Sequence, residues 1–108
     1  MALTPLAIVE AVGKEIKLTN VPAQGATARI LVPPNPDPDG VIDVLIADQK
    51  VVTGEPVGAP VGGFYEVLVP RNALLNHTGL QRSVTYVLYD TFNNPDFSDP
   101  IDYDILHS

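Results

Sequence analysis

The chain has 108 residues, 45% of them hydrophobic, with 13 acidic side chains against 6 basic ones and a net charge of -7. That length suits one domain, and that apolar content suits a buried core rather than a disordered chain. Scattered Lys and Arg argue against nucleic acid and anionic membranes as partners, and the absence of Cys removes disulfides, thiolate metal sites and cysteine nucleophiles together.

In chain order, Leu6 to Val12 reads as a short first strand, with Pro5 at its start, where a missing N–H costs least. Lys14 to Asn20 is weakly periodic, Ile16 and Leu18 alternating with Lys17 and Thr19. Val21 to Gly25 is turn chemistry. Thr27 to Val32 is a strand with Ala28, Ile30 and Val32 on one face and Arg29 on the other. Pro33 to Gly40 carries four prolines and reads as a stiff loop, because each proline holds φ near -65° and lacks a ladder donor.

Val41 to Ala47 is the next strand, with Ile42, Val44 and Ile46 inward and Asp43 marking the wet face. Asp48 to Lys50 turns the chain into Val51 to Thr53, and Gly54 to Gly63 is a Gly/Pro-rich connection. Phe64 to Val69 alternates, with Tyr65, Val67 and Val69 opposite Glu66. Pro70 to His77 is the one helical candidate, a turn or two long, with Gly79 just beyond it. Ser83 to Asp90 and Pro100 to Leu106 are two more alternating runs around a polar stretch, Thr91 to Ser98, which is how a long-looped hairpin is written. Val84, Tyr86 and Leu88 point inward from the first run, and Ile101, Tyr103 and Ile105 from the second.

About seven short strands, one brief helix and unequal loops predict a single all-β domain over 1–108, an antiparallel β-sandwich in preference to an up-and-down barrel. No apolar run approaches the roughly 20 residues of a membrane helix. Met1 to Pro5 lacks the basic and long apolar regions of a signal peptide, so the chain reads as a free-standing protein or a piece of a longer one.

Val21-Pro, Ala26-Thr-Ala-Arg-Ile, the Val-Pro-Pro loop, Asp43-Val-Leu-Ile, Glu66-Val-Leu-Val-Pro, Gly79, Val84-Thr-Tyr-Val-Leu-Tyr-Asp and Ser98-Asp-Pro-Ile together resemble bacterial immunoglobulin-like modules. These are the invasin-like repeats of surface and adhesin proteins. Two features depart from that pattern: the third strand has no Trp, and the final turn, Asn93 to Phe97, is longer than Gly-Asn. The resemblance implies an immunoglobulin-like sandwich, a structural or adhesive role at a bacterial cell surface or in a secreted protein, a protein partner or neighbouring domain, and no catalysis.

The sharpest chemical candidates are acidic. Asp37-Pro-Asp-Gly40 spaces two carboxylates as calcium ligands are spaced, but lacks the closing Glu of a full loop. Asp90, Asp96 and Asp99, with Asn93 and Asn94 between them, are the best-supplied position for a weak calcium site. Both clusters also read as turn chemistry, because Asp and Asn bond their own backbone in turns. A small calcium- or carbohydrate-binding module is therefore the alternative function. Phe64 and Tyr65 are a pair that suits a sugar-binding face, but 6% aromatic residues and no Trp supply a stacking platform poorly, and core packing is the better reading of Tyr65. His77 and His107 have no ligand partner at metal spacing; His77 suits the end of a helical turn. Tyr86 reads as a tyrosine corner whose hydroxyl bonds the backbone just upstream. No nucleophile–base pair and no phosphate cradle is written in the chain, so no enzyme is expected.

Overall fold

The computed structural model describes residues 3–33 and 37–107. Among the described residues nine strands follow in order: β1 (Ala7–Ile8), β2 (Glu15–Lys17), β3 (Ala26–Leu31), β4 (Val41–Ile46), β5 (Gln49–Pro56), β6 (Phe64–Val69), β7 (Gly79–Tyr89), β8 (Pro95–Phe97) and β9 (Ile101–Leu106). One short helix, α1 (Arg71–Asn76), lies between β6 and β7, and Leu18–Asn20 form a 3-10 turn. The strands make a three-stranded sheet, β1-β3-β6, and a larger one, β2-β9-β7-β4-β5, with β8 also on β7. All of these pairings are antiparallel except β2 with β9, which is parallel.

Period-2 alternation builds the core. Ala26, Ala28 and Ile30 of β3 face inward with Tyr65, Val67 and Val69 of β6. Ile42, Val44, Ile46, Val84, Tyr86, Leu88, Tyr103 and Ile105 face them from the larger sheet, and all join one buried cluster. Leu6, Leu18 and Leu74 close its margins, each about 1% exposed. The protein is thus an all-β sandwich, with the inward faces of β3, β4, β6, β7 and β9 as expected. Val32 and Ile101 are only half-buried against that core.

The sandwich has two ends. One, the loop end, gathers residues 32–33 and 37–40, residues 57–63 and the turn between β7 and β8. The other, the helix end, gathers the β4–β5 turn, α1 and the Pro22–Gly25 turn. At Gly25 the turn requires glycine: φ is +127°, and a Cβ would stand 2.1 Å from the Val69 carbonyl oxygen. Leu3 bridges Ser98 towards the loop end, while Leu106 pairs with Lys17 at the helix end.

Five local readings are corrected by the structure. The first strand shrinks to Ala7–Ile8, because the segment leaves the small sheet there and joins β9 as β2. The turn after β4 is Ala47-Asp48, with φ of 51° and 65°, so β5 begins at Gln49 and runs on to Pro56. Asp43 is not on a wet face but 3% exposed. A register shift opposite Asp43 brings the Gly54 amide onto its carboxylate at 2.7 Å, and Lys50 Nζ reaches it at 3.2 Å. The polar stretch Thr91 to Ser98 contains β8, which extends the edge of β7 that β9 also uses. Finally, the Tyr86 hydroxyl donates to the carbonyl of Thr4 at 2.6 Å, 82 residues away in the chain, and not to the backbone just upstream.

Candidate functional site

The loop end holds most of the polar residues singled out in the sequence. Of the Pro33–Gly40 loop, Pro34, Asn35 and Pro36 lie outside the described residues. The Asp37 carboxylate accepts the amide of Asp39 at 2.9 Å, the amide of Thr91 at 2.8 Å and the Thr91 hydroxyl. The Thr91 hydroxyl, then the Thr91 amide, then the Asp39 amide hold the Asp37 carboxyl below the ordinary value of 3.8. Asp37 therefore staples the β3–β4 loop to the β7–β8 turn.

Asp90 does the same work inside its own turn. Its carboxylate accepts the amides of Phe92 and Asn94, each at 2.9 Å, and the side-chain amide of Asn94 at 3.0 Å. The bonds from Asn94 come first in lowering its pKa, and the Asp37 charge opposes them. Asn93 sits at φ 65°, a left-handed conformation that Asn tolerates, and completes the turn. Asp96 is exposed on β8, and Asp99 is exposed in the break between β8 and β9. Among the described residues no three His, Asp or Glu side chains gather as a cation-binding group.

The break at Ser98–Pro100 has its own logic. The Ser98 amide donates to the Tyr86 carbonyl at 3.0 Å, and the Ser98 hydroxyl accepts the Tyr86 amide at 2.9 Å. A side chain thus supplies a ladder bond where the strand departs. The freed edge receives Leu3, whose amide donates to Phe97 O at 3.0 Å and whose carbonyl accepts the Asp99 amide at 2.9 Å.

The remaining candidates are absorbed locally. His77 donates from Nδ1 to the Ala73 carbonyl at 2.8 Å, and its Nε2 lies 2.9 Å from Gln49 Oε1. His107 is exposed beyond β9. Tyr65 is buried, and half-buried Phe64 lies under the Arg29 guanidinium, 5.4 Å from the ring centre, so the pair offers no open aromatic platform. An open groove of about 540 Å³ runs beside β9, between Pro5, Lys14, Gln81 and Asp104. Lys14 Nζ stands 5.9 Å from the Tyr103 ring there, and Asp104 accepts the Gln81 amide at 2.8 Å.

Sequence reasoning missed the pairing of the buried Asp43 carboxylate with the exposed Lys50. Lys50 has its pKa raised by its hydrogen bond to Asp43, then by the Asp43 charge and the nearby Tyr89. The signal was present: a lone Asp in an apolar strand, with Lys and Gly seven and eleven residues on. Alternation alone places it outward, and only the bulge in β5 covers it.

Comparison with family models, with curated proteins and with solved structures finds no match to this chain.

Proposed function

We propose that this chain is a non-catalytic spacer or adhesion module of a bacterial surface or secreted protein. The observation that carries the reading is the placement of the first and last described segments. Leu3 lies beside Ser98, and Leu106 lies eight residues further along the same β8–β9 track. At about 3.3 Å per residue that is about 26 Å of travel along the sandwich. The molecule is elongated, 40 × 23 × 21 Å. A chain that enters towards one end and leaves at the other extends a string of modules with each copy. The strand order supports an immunoglobulin-like reading. With β8 and β9 counted as one interrupted strand, β1-β3-β6 against β9-β7-β4 corresponds to strands A, B, E against G, F, C of that sandwich.

The test is a covalent tandem of three copies in small-angle X-ray scattering. A spacer adds close to the long dimension of one molecule per copy. A tandem whose maximum dimension barely exceeds that of a single copy overturns the reading. So does a turnover activity that vanishes on substitution of one Asp or His.

A further inference from the structure

Asp39-Gly40 is the only place in the chain where Gly follows an Asp or an Asn. The pair matters chemically. A backbone amide nitrogen can close a succinimide ring on the side-chain carboxyl of the residue before it, and glycine offers that nitrogen with no side chain in the way. The fold keeps the glycine. A Cβ at position 40 would stand 2.7 Å from the Tyr89 carbonyl oxygen of β7 and 3.2 Å from the Asp37 carbonyl oxygen. Gly40 is buried, while Asp39 before it is exposed.

The folded chain holds this pair on every side. The Gly40 amide donates to the Asp37 carbonyl at 3.1 Å, and the Gly40 carbonyl accepts the Val57 amide at 3.1 Å. The Asp39 amide donates to the Asp37 carboxylate at 2.9 Å, and that carboxylate is tied in turn to the amide and hydroxyl of Thr91. Ring closure requires the Gly40 nitrogen to leave its hydrogen bond and swing onto the Asp39 carboxyl carbon. Each of these bonds resists that rotation.

We propose that Asp39 is a site of spontaneous isomerisation to isoaspartate, held back in the folded protein by the Asp37 staple. The Gly40 nitrogen attacks Cγ of the protonated Asp39 carboxyl. The N–Cγ bond forms, the Cγ–OH bond breaks, and the hydroxyl leaves with the amide proton as water. A water molecule then opens the ring. Addition at Cγ restores Asp39. Addition at the backbone carbonyl breaks its bond to the Gly40 nitrogen, and the chain then runs through the side chain, with no net change of mass. The product puts one more carbon into the backbone beside a residue clamped between the Tyr89 carbonyl and the Val57 amide. The lesion therefore loosens the joint between residues 37–40, Val57 and the β7–β8 turn. Because the loop must open first, the rate follows the fraction of molecules in which it is open.

The test is the accumulation of isoaspartate at residue 39 in the whole chain, stored for weeks at mildly acidic pH. An isoaspartyl methyltransferase with labelled S-adenosylmethionine reads the product, and peptide mapping locates it. The wild type is expected to react slowly when folded and faster when unfolded in urea. Asp37→Ala loses three hydrogen bonds and is expected to react roughly tenfold faster than the folded wild type. Thr91→Val, which loses the hydroxyl bond alone, is expected to fall between the two. Melting midpoints report that each variant is folded; if Asp37→Ala is not, Thr91→Val decides. Asp39→Glu, whose longer side chain closes the ring poorly, is expected to stay unlabelled, and its melting midpoint to survive storage while that of the wild type falls. A folded wild type labelled at residue 39 as fast as the unfolded chain overturns the inference. So does an unfolded chain without label there, or a Thr91→Val variant that reacts no faster than the wild type.

Discussion

Two tyrosine hydroxyls hold the N-terminal segment on the sandwich. Tyr86 donates to Thr4, and Tyr103 accepts the Ile8 amide at 3.1 Å. Alternation in the sequence placed both rings inward, where each is under 5% exposed. It could not name their partners, which lie 82 and 95 residues away in the chain. Tyr86→Phe is expected to cost about 1 kcal/mol, one hydrogen bond, and Tyr86→Ala about 3–5 kcal/mol, a cavity in the core. Urea denaturation measures both; a neutral Tyr86→Ala would contradict the burial. Desolvation pushes the Tyr86 hydroxyl up to about 12, from an ordinary 10.0. Its raised folded value means that this stabilisation is complete below pH 10 and is lost as pH climbs through 12, so Tyr86→Phe is expected to flatten the alkaline limb. Asp43 illustrates the opposite failure of alternation: a charge read as wet is buried by a bulge that periodicity does not encode. Asp43→Ala is expected to cost roughly 1–3 kcal/mol, because the Gly54 amide loses its acceptor, while Asp43→Asn, which keeps a carbonyl oxygen, costs less.

At the scale of elements, legibility followed strand length. Strands β3, β4, β6, β7 and β9 are long enough for period 2 to show, and the sequence located each within a few residues. Strands β1 and β8 have two and three residues, too few for any period, and are fixed by pairing alone. The β4–β5 turn was misplaced because its two residues, Ala47 and Asp48, both stand at positive φ without a glycine between them. Asn-Gly is the pair that such a hairpin favours. Replacing Ala47-Asp48 by Asn-Gly is expected to stabilise the protein by roughly 0.5–1 kcal/mol, read as a higher denaturation midpoint with an unchanged urea dependence. The staple between loops makes a pH prediction. The Asp37 and Asp90 carboxyls are both lowered from 3.8 in the folded state. Depressed folded values mean that their stabilisation is present above the ordinary carboxylate range and is lost as pH falls through and below it. The double variant Asp37→Asn, Asp90→Asn is expected to show a shallower fall of melting midpoint below pH 4 than the wild type; identical acid limbs would remove the staple's role. The acidic motif was therefore legible as turn chemistry, but its target across the loops was not.

For the whole molecule, what matters is the direction in which a load crosses it. If the chain works as a link in a string, force enters near Leu3 and leaves at Leu106. The N-terminal segment is then drawn towards the loop end while β9 is drawn towards the helix end. Their contact runs through the parallel β2–β9 pair, Glu15 with Asp104, Ile16 with Ile105 and Lys17 with Leu106. Parallel neighbours pulled from opposite ends slide along one another, so their hydrogen bonds share the load and must fail together. The β4–β5 hairpin offers the contrast, since Val41 and Pro56 are paired at its open end. A pull applied there peels the bonds one at a time. The chain has no Cys, so handles can be placed uniquely by Asp39→Cys with Ala59→Cys for the peeling geometry, and by cysteines added at the termini for the shearing one. Single-molecule stretching is expected to give a clearly higher first unfolding force through the termini than through the hairpin handles. Equal forces would mean that the terminal strands do not bear the load, and the elongated shape would then lose its mechanical meaning.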